Sequence, residues 1–185
     1  MTHLIFIRHG ETDWNTEGRW QGQIDVALNT KGRQQAQDLA EKLSGANIQA
    51  IYSSDLQRAI DTARPLAEMT GLTIRTDARL REIHQGEWQG MLVSDIRARY
   101  AELFQQRVND PLTIAPPGGE TVVQVQERVL RALNEIVQRH LNERVAIFAH
   151  GFVIAVLRVN LEKRPIDSVW QLVPKSGEII EYSNT

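Results

Sequence analysis

Three apolar runs in the sequence end on residues able to do chemistry. "HLIFI" (residues 3–7) leads into Arg8, His9 and Gly10, and "RVAIF" (144–148) leads into Ala149, His150 and Gly151. "IQAIY" (48–52) leads into Ser53 and Ser54, with Arg58 close behind. Taken singly, each residue has a plain structural use: a histidine after a strand is usually packed, an arginine on a helix usually solvated, a glycine usually serves a turn. If the three runs are parallel neighbours, however, two histidines and two arginines meet on one rim, where open parallel sheets bind their ligands. The chain has only five histidines.

Such a cluster suits a phosphate. Two guanidiniums offer planar forks of donors to its oxygens, and a helix starting near Ser54 would add backbone N–H groups and the positive end of a dipole. Arginine next to histidine disfavours imidazolium and leaves a ring nitrogen with its lone pair, so His9 fits a nucleophile. A departing alkoxide needs a proton, and Glu82, in "LREIHQGEWQG", is the carboxyl group placed to carry it.

The elements that must hold these groups alternate. Besides the three runs, "EIIEY" (178–182) and, less clearly, "VWQLV" (169–173) read as strands. Helical spacing of apolar residues covers 30–43, with Thr30 as its cap, and 54–71, with a kink or break at Pro65. It also covers 120–141 and 152–161. Alternating strands and helices predict an α/β fold, a three-layer α/β/α sandwich around a mainly parallel central sheet. One domain, residues 1–185, is expected, with a partly helical insertion at about 84–119 that carries a short helical pattern near 93–106. His3 and His140 read as surface residues and the four tryptophans as packing, with Trp14 and Trp88, each close to a proposed site residue, as candidates to wall a pocket.

Composition narrows the chemistry further. At 185 residues, 42% hydrophobic and 24% charged, the chain can bury a self-sufficient core. A net charge of −2 and no basic block give no general attraction for nucleic acid or anionic membrane, so any bound anion needs a local cluster. Without cysteine there are no disulfides, no thiolate metal sites and no cysteine nucleophile. No stretch resembles a signal peptide or a bilayer span, and a cytoplasmic setting is expected. The sequence contains no phosphate-loop, zinc-helix or nucleophile-elbow motif, and His9, His84 and His150 are too scattered for metal-ligand spacing.

In this order and spacing, "RHGETDWN", "SSDLQRAIDTA", "LREIHQGEWQG", "PPGGET" and "AHG" resemble the histidine phosphatase superfamily, its phosphoglycerate mutase-like branch, over nearly the whole chain. The resemblance implies that His9 is the histidine that becomes phosphorylated and Glu82 the proton donor. Arg8, Arg58 and His150 would clamp the phosphate, with His150 a charged partner of its oxygens. Asn15, Gln21 and Gly22 would line or touch the phosphate pocket, and Gly151 would supply a backbone contact. No metal and no cofactor are implied; the expected partner is a small phosphorylated metabolite.

Two further readings accompany the phosphatase one: phosphoglycerate mutase-type transfer, and a weakly catalytic phospho-ligand binding module. Mutase relatives carry extra segments over the site, and little chain is left here between Glu82 and Glu120 or after His150 to build a lid. Broad-specificity and α-ribazole phosphatase-like relatives are the nearest in local sequence. The chain departs from the family pattern at Ala27, Ala149, Phe152 and Lys175, positions that bear on the substrate rather than on phosphate chemistry.

Overall fold

The computed structural model describes residues 1–183. Three strands lie side by side in parallel: β1 (His3–Arg8), β2 (Ala50–Ser53) and β4 (Arg144–Ala149), with β4 in the middle. A short β3 (Ile74–Thr76) adds a parallel edge beside β2, and β5 (Ile179–Ser183) pairs antiparallel with β1, giving the order β3-β2-β4-β1-β5. The apolar runs are continuous because both faces of the sheet are covered. Leu4 and Phe6 of β1 face one core with Val145 and Ile147 of β4; Ile5 and Ile7 face the other with Ala146 and Phe148. The period of two thus divides each strand between two layers.

Helices α2 (Thr30–Leu43) and α3 (Gln57–Thr70) cover the second core through Leu39, Leu43, Ala63 and Leu66. Helices α6 (Val122–Arg139) and α7 (Gly151–Leu161) cover the first, and α7 is apolar almost all round because it is buried. This is the expected three-layer α/β/α arrangement. Two shorter helices, α4 (Val93–Arg99) and α5 (Ala101–Asn109), lie within the 84–119 segment, and a first short helix, α1 (Asp13–Glu17), follows β1. The 84–119 segment bonds to the loop after α1: Trp20 N–H donates to Met91 O, Gly90 N–H to Trp20 O, and Val93 N–H to Gly18 O.

Several details depart from the sequence reading. Residues 169–173 do not form a strand; Ile166–Leu172 is a 3₁₀ helix that buries Val169 and Leu172 against the α7 layer. Helix α3 runs unbroken through Pro65, because its buried face on the sheet holds the turns on either side of the lost hydrogen bond. Asn29, not Thr30, caps α2, its side chain accepting Gly32 N–H at 2.8 Å. His140 is not a surface residue: it is 5% exposed, bonded to Tyr52 Oη at 3.0 Å and to Glu143 at 2.6 Å. The strand β3 was not foreseen, since three residues with only one apolar side chain carry no periodic signal.

Candidate active site

The carboxyl ends of β1 and β4 meet in register, Arg8 opposite Ala149. His9 continues the pairing, its N–H donating to Ala149 O at 3.0 Å, and His150 follows on the neighbouring strand. Their rings lie 5.2 Å apart, centroid to centroid. Arg58 reaches the same place from the first turn of α3, and Glu82 from the loop after Leu80. These four residues and Arg8 come together as expected.

A cavity of about 270 Å³ opens on this rim, lined by Arg8, His9, Arg58, Glu82, Asn15 and Gln21, with Gly22 and Gly151 at its wall. Eight of the nine residues singled out in the sequence line the cavity; the ninth, His150, does not reach its wall and lies fully buried beside His9.

The tautomer of His9 follows from its partner. Nδ1 lies 2.7 Å from Gly10 O, and a carbonyl can only accept, so Nδ1 carries the hydrogen and Nε2 keeps its lone pair. Burial first, then the positive charges of Arg58 and Arg8, hold His9 well below the usual histidine range. His9 is a neutral base of fixed orientation.

His150 is also held well below its ordinary value, by burial and then by Arg58, His9 and Arg8. Neither of its ring nitrogens has a protein partner. These surroundings favour the neutral ring, so the positive charge that the family resemblance assigns to His150 is one that a bound anion would have to favour.

The two arginines are half committed. Arg8 Nη1 donates to Pro174 O at 2.6 Å, and Arg58 donates to Ile24 O and Gly22 O at 2.7 Å each. These bonds fix the guanidiniums, while the Nε of each is buried with no protein partner. Burial lowers both, Arg58 to about 10, which leaves them charged at neutral pH. Buried donors without acceptors beside a cavity are what an anion site requires.

Glu82 is anchored at both carboxyl oxygens, accepting Ile83 N–H at 2.9 Å and Phe152 N–H at 3.2 Å. Its backbone carbonyl receives Gln23 Nε2 and Arg128 Nη2, each at 3.0 Å. Arg128 also grips the carboxylate of Glu120, so α6 ties down the Glu82 loop. Nothing in the sequence around Arg128 distinguishes it from a solvated helix charge.

The helix end at the pocket is not the one expected. Helix α3 begins at Gln57, and its N–H is taken by Asp25 Oδ1 at 2.7 Å. The N-terminus of α7 faces the cavity instead, through Gly151 and Phe152. A side chain at Gly151 would place its Cβ 3.0 Å from Val173 and 3.2 Å from the Arg8 guanidinium carbon, so any larger residue would push on Arg8 where it lies against this helix end.

Trp88 and Trp14 do not wall the cavity. Trp88 is fully buried among Trp20, Tyr100 and Phe104, and Trp14 packs against Gly90. Trp20 and Trp170 line the cavity in their place, with Arg19 and Gln85. Trp170 was hidden by the misread strand; Arg19 and Trp20 adjoin Gln21, and that adjacency was the one available signal. Among the described residues no group of three or more His, Cys, Asp or Glu side chains could hold a metal ion.

This fold and this rim define a phosphate-handling α/β protein. Residues 4–184 match the histidine phosphatase superfamily (branch 1), and the chain belongs to that family. It is 38% identical over 168 residues to phosphoserine phosphatase 1 of Hydrogenobacter thermophilus, covering 88% of this chain and 80% of that protein. It is 41% identical over 171 residues to the glucosyl-3-phosphoglycerate phosphatase of Mycobacterium tuberculosis H37Rv, covering 88% and 76%. A mycobacterial glucosyl-3-phosphoglycerate phosphatase solved with VO3 superposes with a TM-score of 0.89 at 39% identity, over 98% of this chain and 92% of that one.

Proposed function

We propose that the protein is a phosphatase that hydrolyses small phosphomonoesters through a phosphohistidine on His9. The observation that carries this reading is the uncommitted Nε2 of a neutral, oriented His9 beside two buried guanidiniums with unanswered Nε donors. The phosphatases named among its relatives support it.

In the first step the Nε2 lone pair attacks phosphorus while the P–O bond to the alcohol breaks. The leaving oxygen takes the proton of Glu82. In the second, water attacks the phosphorus, gives a proton to Glu82 and releases inorganic phosphate; the P–N electrons return to His9. Both groups end as they began. Arg8, Arg58 and the N-terminus of α7 stabilise the charge on the transferring oxygens, and His150, protonated as the anion binds, joins them. Asn15, Gln21, Gly22 and Gly151 complete the phosphate pocket.

Because fixed guanidiniums supply the positive charge, the activity needs no metal ion, and we place it in the cytoplasm. Hydrolysis of 4-nitrophenyl phosphate in the presence of EDTA tests the reading. Turnover that vanishes in His9→Ala is the expected result; no turnover by the parent from acid to neutral pH would leave a binding module. Isomer formation from 3-phosphoglycerate with its bisphosphate, in place of free phosphate, would mark a mutase.

A further inference from the structure

A second cavity, about 490 Å³, adjoins the first, and Trp20 and Trp170 line both. Its lining is mainly apolar, Phe104, Val108 and Pro111 joining the two tryptophans. Its one basic lining residue is Arg107, from α5, which is 4% exposed. The guanidinium carbon lies over the rings of Trp20 and Trp88, 6.0 Å and 5.8 Å from their centres. Its Nη2 is buried with no hydrogen-bond partner, and its one polar contact, Nη1 to Ile114 O, is long at 3.5 Å. No carboxylate forms a salt bridge with it among the described residues; Asp167, the single acidic lining residue, is exposed.

A charge is expensive to bury without a counterion, and two indole faces about 6 Å away attract the cation but offer its Nη2 no acceptor. Resting on the phosphatase reading, we infer that the second cavity receives the leaving group of the substrate and that Arg107 binds an anionic substituent on it, a carboxylate. The substrate class is then a phosphomonoester whose alcohol has an apolar or aromatic body and a carboxylate at its far end. Burial supports the assignment, since it lowers Arg107 to about 10, a strain that a paired carboxylate would relieve. Arg107 is thus a specificity-determining residue, acting on the part of the substrate that departs.

The test compares 4-carboxyphenyl phosphate with its neutral isostere, 4-carbamoylphenyl phosphate, as ratios of kcat/KM. The parent should favour the carboxylate by about tenfold or more, chiefly through KM, as expected for a charge-assisted bond to a buried guanidinium. Arg107→Met should bring the ratio near one, and Arg107→Lys should keep part of the preference; a general loss of packing would lower both esters together and leave the ratio alone. A parent ratio near one, with both esters cleaved, overturns the role of Arg107 while the phosphatase reading stands, and it needs no variant to fold. Cleavage of neither ester overturns both.

Discussion

His9 and His150 face each other with ring centroids 5.2 Å apart and planes tilted by 59°, and no carboxylate bonds to either ring. Burial and the field of two arginines disfavour a proton on either imidazole. Both are held well below the usual histidine value in the folded protein. The unfolded chain takes up protons at these sites below about pH 6.5, whereas the native state does not. Stability therefore rises with pH through that window and falls as pH drops below it, by up to about 1.4 kcal/mol per pH unit for each histidine. Thermal melts across this range should show a slope that flattens in His9→Asn/His150→Asn and in the parent saturated with vanadate. An unchanged slope in both would contradict the assigned protonation states.

Glu82 should matter in proportion to how badly the leaving group needs a proton. Glu82→Gln keeps acceptor capacity for Phe152 N–H but has no proton to transfer. The variant should lose roughly 10²- to 10⁴-fold in kcat/KM on an alkyl phosphate and far less on 2,4-dinitrophenyl phosphate. Equal losses on both esters would assign Glu82 a positioning role only.

Arg58 has a structural task beside its chemical one. Arg58→Ala frees the carbonyls of Gly22 and Ile24, and the buried one, Gly22 O, costs about 1–3 kcal/mol if left unpaired. A lower Tm and a weakened affinity for inorganic phosphate are expected together. Titration calorimetry with phosphate reads the second effect; a variant that binds phosphate like the parent would remove Arg58 from the clamp.

Gly151→Ala isolates geometry from charge. The added methyl meets Val173 and the Arg8 guanidinium, so Arg8 must shift while every charged group is retained. A drop of at least about tenfold in kcat/KM with a Tm change of only a few degrees is predicted. Parent-like turnover would show that the contact between Arg8 and the start of α7 is dispensable.

The rim was legible because its residues sit at strand exits, where a continuous apolar run stops abruptly on charged side chains; His9, His150 and Arg58 could be placed together from that pattern alone. What belongs to long-range packing was not. The occupied N-terminus of α3 depends on Asp25, a residue of a distant loop, and the place of the α7 terminus at the cavity goes with a bond from Phe152 N–H to Glu82, 70 residues earlier in the chain. Trp88 and Trp20 exchange roles because the 84–119 segment folds back on the loop after α1, a docking that no local periodicity encodes. His140 reads as a surface residue at the end of an amphipathic helix until Tyr52 and Glu143 enclose it.

The most direct test of the covalent step is to quench the enzyme in alkali during steady turnover of a ³²P-labelled ester and to map the labelled peptide. Phosphate stable to base, labile to acid and carried on Nε2 of His9 is the predicted result, with none in His9→Ala. A protein that carries no label, while His9→Ala turns over at the parent rate, would contradict it.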